Sequence, residues 1–196
     1  LKHIESINSE ANIYITFNYF KISNKEAISD NDIERIKFIL LDIDPERPSG
    51  TASTDKQKEE AKRVFDNCLQ YLEDNSIQYY YTFDSGNGYH ALIPVSIDAN
   101  KVNQDTIKKL LYLLDDKFST EKAHVDKSVH NPARITRFYG TLNTKGIQIK
   151  PECCRISKFL YDKADGNTND FNSIKGIISK NKVEDIDIDN IMTRKP

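Results

Sequence analysis

The chain is poor in the residues that mark unusual architectures. Glycine and proline together fill thirteen of 196 positions, while 38% of the residues are hydrophobic and 30% charged. Collagen-like, mucin-like and wholly disordered chains are therefore excluded. Cysteine is scarce too: there are three, an odd number with Cys153 and Cys154 adjacent. They offer neither a disulfide framework nor the C-x-x-C spacing of a zinc site, a usage that reads as a reducing, cytoplasmic compartment. No run approaches the roughly 20 apolar residues of a membrane span. The opening Leu1-Lys2-His3-Ile4-Glu5-Ser6 has no apolar leader segment, so neither secretion nor a membrane partner is expected. The length fits one domain, and the missing initiator Met suggests a piece of a longer chain.

An excess of positive charge is also missing, since the net charge is -2, which excludes a globally basic nucleic-acid binder. The average hides an asymmetry. From Lys127 to Lys163 eight bases stand against Glu152 and Asp162, a local net of +6 able to meet phosphate. From Val183 to Asn190 four acids stand without a base.

What is present is a sequence of strand and helix patterns. Asn12–Asn18 alternates Ile13, Ile15 and Phe17 with Tyr14, Thr16 and Asn18, the period of a half-buried strand. Ile36–Asp44 is a nearly continuous apolar run that ends in acids and stops at Pro45, a buried strand. Thr54-x-x-Gln57 has the form of a capping box, and Ala61, Phe65, Cys68, Leu69 and Leu72 then mark one face of a helix over 55–74. Ile77–Phe83 and Tyr89–Val95 flank Asp84-Ser85-Gly86-Asn87-Gly88 and read as a hairpin. Ile107, Leu110, Leu111, Leu114 and Phe118 predict a second helix over about 103–118. Short strands are expected at Ile135–Tyr139 and Ile147–Lys150, and a last helix at Phe171–Lys180. The order argues for an α/β or α+β fold with a mostly antiparallel sheet flanked by helices.

Three segments carry chemistry. Asp42 and Asp44, two apart on a strand, share a face with backbones about 6 to 7 Å apart. Such a pair can hold hard divalent cations, although an ordinary acidic strand end has the same spacing. Asp185-Ile186-Asp187-Ile188-Asp189 repeats that spacing without the apolar strand and reads as a solvated decoy. Ser85-Gly86-Asn87-Gly88-Tyr89-His90 places glycines, a hydroxyl and an imidazole where a triphosphate could be cradled, or simply forms a hairpin turn. Asp126 supplies a third carboxylate. Arg134 and Arg137, three apart, are expected on opposite strand faces, one for nucleotide phosphates and one for a polynucleotide backbone. Lys145 adds a loop charge. His124, Asp126 and His130 lack a fourth ligand for zinc. Tyr79–Tyr81 and Cys68 read as sheet and core residues.

The run Leu40-Leu41-Asp42-Ile43-Asp44-Pro45, then Ser85–His90, then Val125-Asp126 through Arg134-Ile135-Thr136-Arg137 to Gly140–Lys145, resembles the archaeo-eukaryotic primase superfamily in order and spacing. The likeness is to its primase-polymerase branch, known from plasmid, phage and CRISPR-associated proteins, and spans about residues 13–150. It implies a two-part catalytic core with an RRM-like sheet over about 11–150, followed by a helical and acidic extension over about 156–196. It also implies template-directed nucleotidyl transfer with two divalent ions, Mg²⁺ or Mn²⁺. The partners would be single-stranded DNA template, primer and NTP or dNTP. By this resemblance Asp42, Asp44 and Asp126 are metal ligands, and Ser85, Gly86, Gly88 and His90 belong to the triphosphate site. Arg137 and Lys145 lie near nucleotide or template, Arg134 near nucleic acid, and Asn18 near the sugar. Phe138-Tyr139 departs from the family pattern, where an apolar residue and proline are common.

Two other readings compete. In a haloacid-dehalogenase-like phosphohydrolase Asp42 would be the nucleophile of a D-x-D strand end, which leaves Ser85–His90 unexplained. A non-catalytic nucleic-acid-binding module would use the +6 segment but gives the acids no purpose.

Overall fold

Two aspartates at the end of a long apolar run set the frame, because the strand that carries them pairs with three others and packs against a helix. The structure is a computed structural model that describes residues 11–21, 27–144 and 155–183. The chain order is β1 (Tyr14–Thr16), β2 (Tyr19–Phe20), β3 (Ile33–Pro45), α1 (Asp55–Asp74), β4 (Tyr81–Asp84) and β5 (Tyr89–Asp98). There follow α2 (Lys101–Phe118), β6 (Ala123–Val125), β7 (Ile135–Arg137), β8 (Lys158–Asp162) and α3 (Phe171–Lys180). Six strands form one sheet in the order β2-β3-β5-β4-β8, with β6 paired to the acidic end of β3. A separate pair joins β1 to β7. Every pairing is antiparallel, and the fold is the α+β arrangement with flanking helices that the sequence implies.

Strand alternation decides which face of β3 is core. Ile39, Leu41 and Ile43 are buried, and Leu41 and Ile43 are wholly covered. The α1 side chains Ala61, Phe65, Cys68 and Leu72 and the α2 side chains Leu110, Leu111 and Leu114 belong to the same cluster. Each such aliphatic or aromatic side chain contributes roughly 1.5–3 kcal/mol by leaving water. Leu40, Asp42 and Asp44 therefore project from the opposite face. Helix α1 starts where the capping box requires. Thr54 Oγ1 accepts from the Gln57 amide at 3.2 Å, and Gln57 Oε1 accepts from the Thr54 amide at 2.9 Å.

Three differences from the sequence reading have physical causes. The expected strand over 12–18 is cut to β1, and its alternation is lost: Tyr14 and Ile15 are both exposed, Phe17 packs partly buried against the core, and Asn18 is buried. The reason is hydrogen bonding. Asn18 Oδ1 accepts from the amides of Lys37 and Phe38, and its Nδ2 donates to the Pro132 carbonyl, so the amide rather than an apolar side chain is drawn inside. The expected strand at 135–139 ends at Arg137, since the chain turns at Gly140 with φ +87°. Beyond residue 156 the chain is not helical and acidic alone: β8 extends the main sheet beside β4, and α3 buries Ile174, Ile177 and Ile178 in the same core. The expected strand at 147–150, Lys145 and the acidic Asp185–Asp189 lie outside the described residues.

Candidate active site

Antiparallel register brings the two main motifs face to face. Asp42 of β3 pairs with His90 of β5, and His90 pairs with Phe83 of β4, so the three side chains form one row on the helix-free face. His90 Nε2 lies 3.2 Å from Asp42 Oδ1. Burial opposes charging of the imidazole, but the charge and hydrogen bond of Asp42, with help from Asp44, raise its pKa above the ordinary value. Burial, and next the charge of Asp42, raise the pKa of Asp44. Arg47 opposes that rise, its Nη1 standing 3.1 Å from Asp44 Oδ1. Two carboxylates side by side resist ionising together, and a bound cation relieves that resistance.

These groups open on a cavity of about 290 Å³ whose walls include Asp42, Asp44, Ser85, His90, Arg134 and Arg137. One wall is acidic, and the others carry hydroxyl, imidazole and guanidinium donors. Arg137 is buried; its Nη1 donates to Asn12 Oδ1 at 3.0 Å, and its guanidinium lies 5.1 Å from the Tyr14 ring centroid. Arg134 precedes β7, so the rule of opposite strand faces does not apply to it, and both arginines reach the same cavity. That corrects their expected separation.

The Ser85–Gly88 loop is built differently from an open ring of amides. Gly86 N–H donates to Asp84 Oδ1 at 2.7 Å, Gly88 N–H to Ser85 Oγ at 2.9 Å, and Ser85 N–H to the Gly88 carbonyl at 3.0 Å. The glycine amides are thus committed within the loop, and the cavity is lined instead by Ser85, Asn87 and His90. Because Ser85 Oγ already accepts, its own proton is directed elsewhere, available to an anion. The loop is fastened by Asn87 Oδ1, which accepts from Ser53 N–H at 3.0 Å, and by Asn143 Nδ2, which donates to the Ser85 carbonyl at 2.7 Å.

Glycine is required at position 88 by close approach. A Cβ there would stand 2.2 Å from the Ile43 carbonyl oxygen, backbone against backbone. Gly88→Ala is expected to destabilise the protein by about 1–3 kcal/mol, as overpacking does, and to displace the acidic end of β3. Thermal unfolding checks this, and an unchanged melting temperature would contradict the contact.

No protein-family model matches the chain, and no curated protein matches it. Among solved structures it is similar to the polymerase domain of ligase D from Mycobacterium tuberculosis in complex with DNA, at 12% sequence identity and a TM-score of 0.46. The likeness covers 86% of this chain and 60% of that one, so this chain spans less than two thirds of the length of that protein.

Not every residue singled out from the sequence joins the cavity. Asp126 is one hydrogen bond away, its amide donating to the Asp42 carbonyl at 2.8 Å. Its carboxylate turns to the Ser128 amide at 2.8 Å and to Arg134 at 3.5 Å. Asn18 braces β3 against Pro132 and does not line this cavity. Among the described residues no three His, Cys, Asp or Glu side chains converge on one point. Conversely, Arg47, Asn87 and Tyr14 line the cavity without having been singled out for it. Arg47 follows Asp44 by three residues in a loop, where sequence gives no direction to a side chain.

Proposed function

We propose that the chain is a template-directed nucleotidyltransferase of the primase-polymerase kind. It would join nucleotides from NTP or dNTP with release of pyrophosphate. The observation that carries this reading is the cavity itself, in which the Asp42–Asp44 face opposes Ser85, His90, Arg134 and Arg137 across about 290 Å³. A phosphoryl-transfer site needs that division, with acids to hold cations and donors to hold phosphate oxygens.

Asp42 and Asp44 fit Mg²⁺ or Mn²⁺, because such ions are bound by one or two carboxylates with substrate phosphates and water completing the shell. Asp126 is the third candidate ligand. When bound, two such ions activate the attacking hydroxyl and neutralise charge on the leaving pyrophosphate. Ser85 Oγ–H donates to a non-bridging oxygen of the triphosphate, and His90 Nε2–H, 3.2 Å from Asp42 Oδ1 here, exchanges that carboxylate for another. The 3′-oxygen of the primer, or of a first nucleotide, forms the new bond to the α-phosphorus, and the bond from that phosphorus to the bridging oxygen breaks. Arg137, fixed by Asn12 and Tyr14, holds its guanidinium toward the incoming nucleotide. Arg134 exchanges Asp126 for the nucleic-acid backbone.

Single-stranded DNA templates, with and without an annealed primer, test the reading when supplied with labelled NTPs or dNTPs and Mg²⁺ or Mn²⁺. Template-directed products that vanish in EDTA are expected. Hydrolysis of a phosphate monoester with no incorporation would favour the phosphohydrolase, and DNA binding in EDTA without incorporation would favour the binding module.

A further inference from the structure

Tyr139 is absent from the mechanism above and does not line the cavity, yet it touches His90 and Thr136, which do. Its ring lies parallel to Phe83, with centroids 3.4 Å apart and an interplanar angle of 3°. Phe83 is the β4 neighbour of His90 in the row that ends at Asp42. The Tyr139 hydroxyl sits 2.8 Å from His90 Nδ1 and 2.8 Å from Thr136 Oγ1, which is itself 3.1 Å from the same nitrogen. Tyr139 therefore meets His90 through its oxygen and Phe83 through its face.

Proton accounting gives this contact a direction. An ionised carboxylate only accepts, so the nitrogen facing Asp42, Nε2, bears hydrogen. The opposite nitrogen, Nδ1, faces two hydroxyls, and a hydroxyl both donates and accepts. Tyr139 and Thr136 thus complete the Nδ1 side whether that nitrogen carries a proton or not. The ring is left no reason to flip, and its Nε2–H stays on Asp42 at the cavity wall.

We propose that Tyr139, backed by Thr136, is a positioning residue that keeps the His90 Nε2–H on the Asp42 side, from where it passes from the carboxylate to a triphosphate oxygen when nucleotide binds. The ligand part of this rests on the function proposed above. The arrangement parallels metal-site histidines, whose second nitrogen is fixed by an outer partner. Here the outer partner is a phenol anchored by ring stacking, and the inner partner is an anion.

Tyr139→Phe keeps the stacked ring and removes only the oxygen. Equilibrium binding of a nucleoside triphosphate to the whole chain, with the divalent cation present, is expected to weaken about tenfold, the range of a hydrogen bond that serves a charged ligand. In extension assays KM should rise by a similar factor with kcat within about twofold, since uniform binding is what is lost. In a His90→Asn background the same substitution should change affinity less than twofold, because nothing remains to position. A role confined to packing would show the same penalty in both backgrounds. Proton–nitrogen NMR of the histidine side chains gives a readout without nucleotide: the His90 Nε2–H resonance, sharp in the wild type, should broaden and exchange faster with water in Tyr139→Phe. An identical His90 resonance in Tyr139→Phe, or equal penalties in the two backgrounds, would overturn the proposal. A wild type that neither binds nor incorporates nucleotide while His90 responds to Tyr139→Phe as expected overturns the proposed function and supports the positioning role.

Discussion

Asp42→Asn and Asp44→Asn are each expected to reduce nucleotide incorporation at least about a thousandfold, with folding stability changed by no more than about 1 kcal/mol. The activity loss follows from the ligand chemistry, because an amide keeps the shape and gives up the charge that holds a divalent cation. The small stability change follows from opposing contributions. Asp44 has a raised pKa in the folded protein, from burial and then from Asp42. A carboxyl with a folded pKa above its unfolded one costs stability at pH values above that range, and the cost fades as pH falls through it. Replacing Asp44 by Asn removes this cost but leaves Arg47 facing an uncharged amide oxygen in place of its counter-charge. Replacing Asp42 by Asn still allows an oxygen to accept from His90. Extension assays and urea unfolding on the same preparations measure both quantities. An active Asp42→Asn protein would remove the metal-binding role, and an unfolded one would show that the acids shape the sheet instead.

Lys58→Met is expected to cost about 3–5 kcal/mol of stability, because it strips a buried carboxylate of its cation. Lys58 projects from α1, its side chain only 10% exposed, with Nζ 2.6 Å from both oxygens of Asp84. Burial lowers its pKa, opposed by the hydrogen bond and charge of Asp84. Asp84 in turn accepts from Gly86 N–H, so the ion pair supports the loop that carries Ser85. The double variant Lys58→Met/Asp84→Asn should regain much of the loss, since no unpaired charge then remains. Urea unfolding of the single and double variants decides this. Additive losses would show that packing by the lysine stem, rather than the charge pair, is what matters.

The parts of the fold that show in the sequence are those whose own residues determine them. Helix α1 is bounded by a side-chain cap and a continuous apolar stripe, and α3 matches the expected 171–180. Strand β3 announces itself by a run too apolar for a surface. Strand β8 does not: its five residues are exposed or half-buried, and only pairing with β4 makes them a strand. The site divides the same way. Asp42, Asp44, Ser85 and His90 are visible because they stand in short motifs whose residue types and order can be read along the chain. Tyr139 and Arg47 are not, because a tyrosine in a turn and an arginine in a loop acquire direction only from register and packing.

The fastenings of the Ser85–Gly88 loop have a kinetic consequence. Asn87 is tied to Ser53, 34 residues away, and Ser85 to Asn143, 58 residues away. Arg155 Nη1 donates to the Ser53 carbonyl across 102 residues. Chords of that length each carry the entropy cost of joining distant parts of the chain, a cost that slows folding and that the short β4–β5 hairpin largely escapes. Local pairing of β4 with β5 gives a hairpin early, but not a finished cradle. A nascent or partly folded chain therefore holds every motif residue of the site while lacking the enclosure that gives those residues a common target.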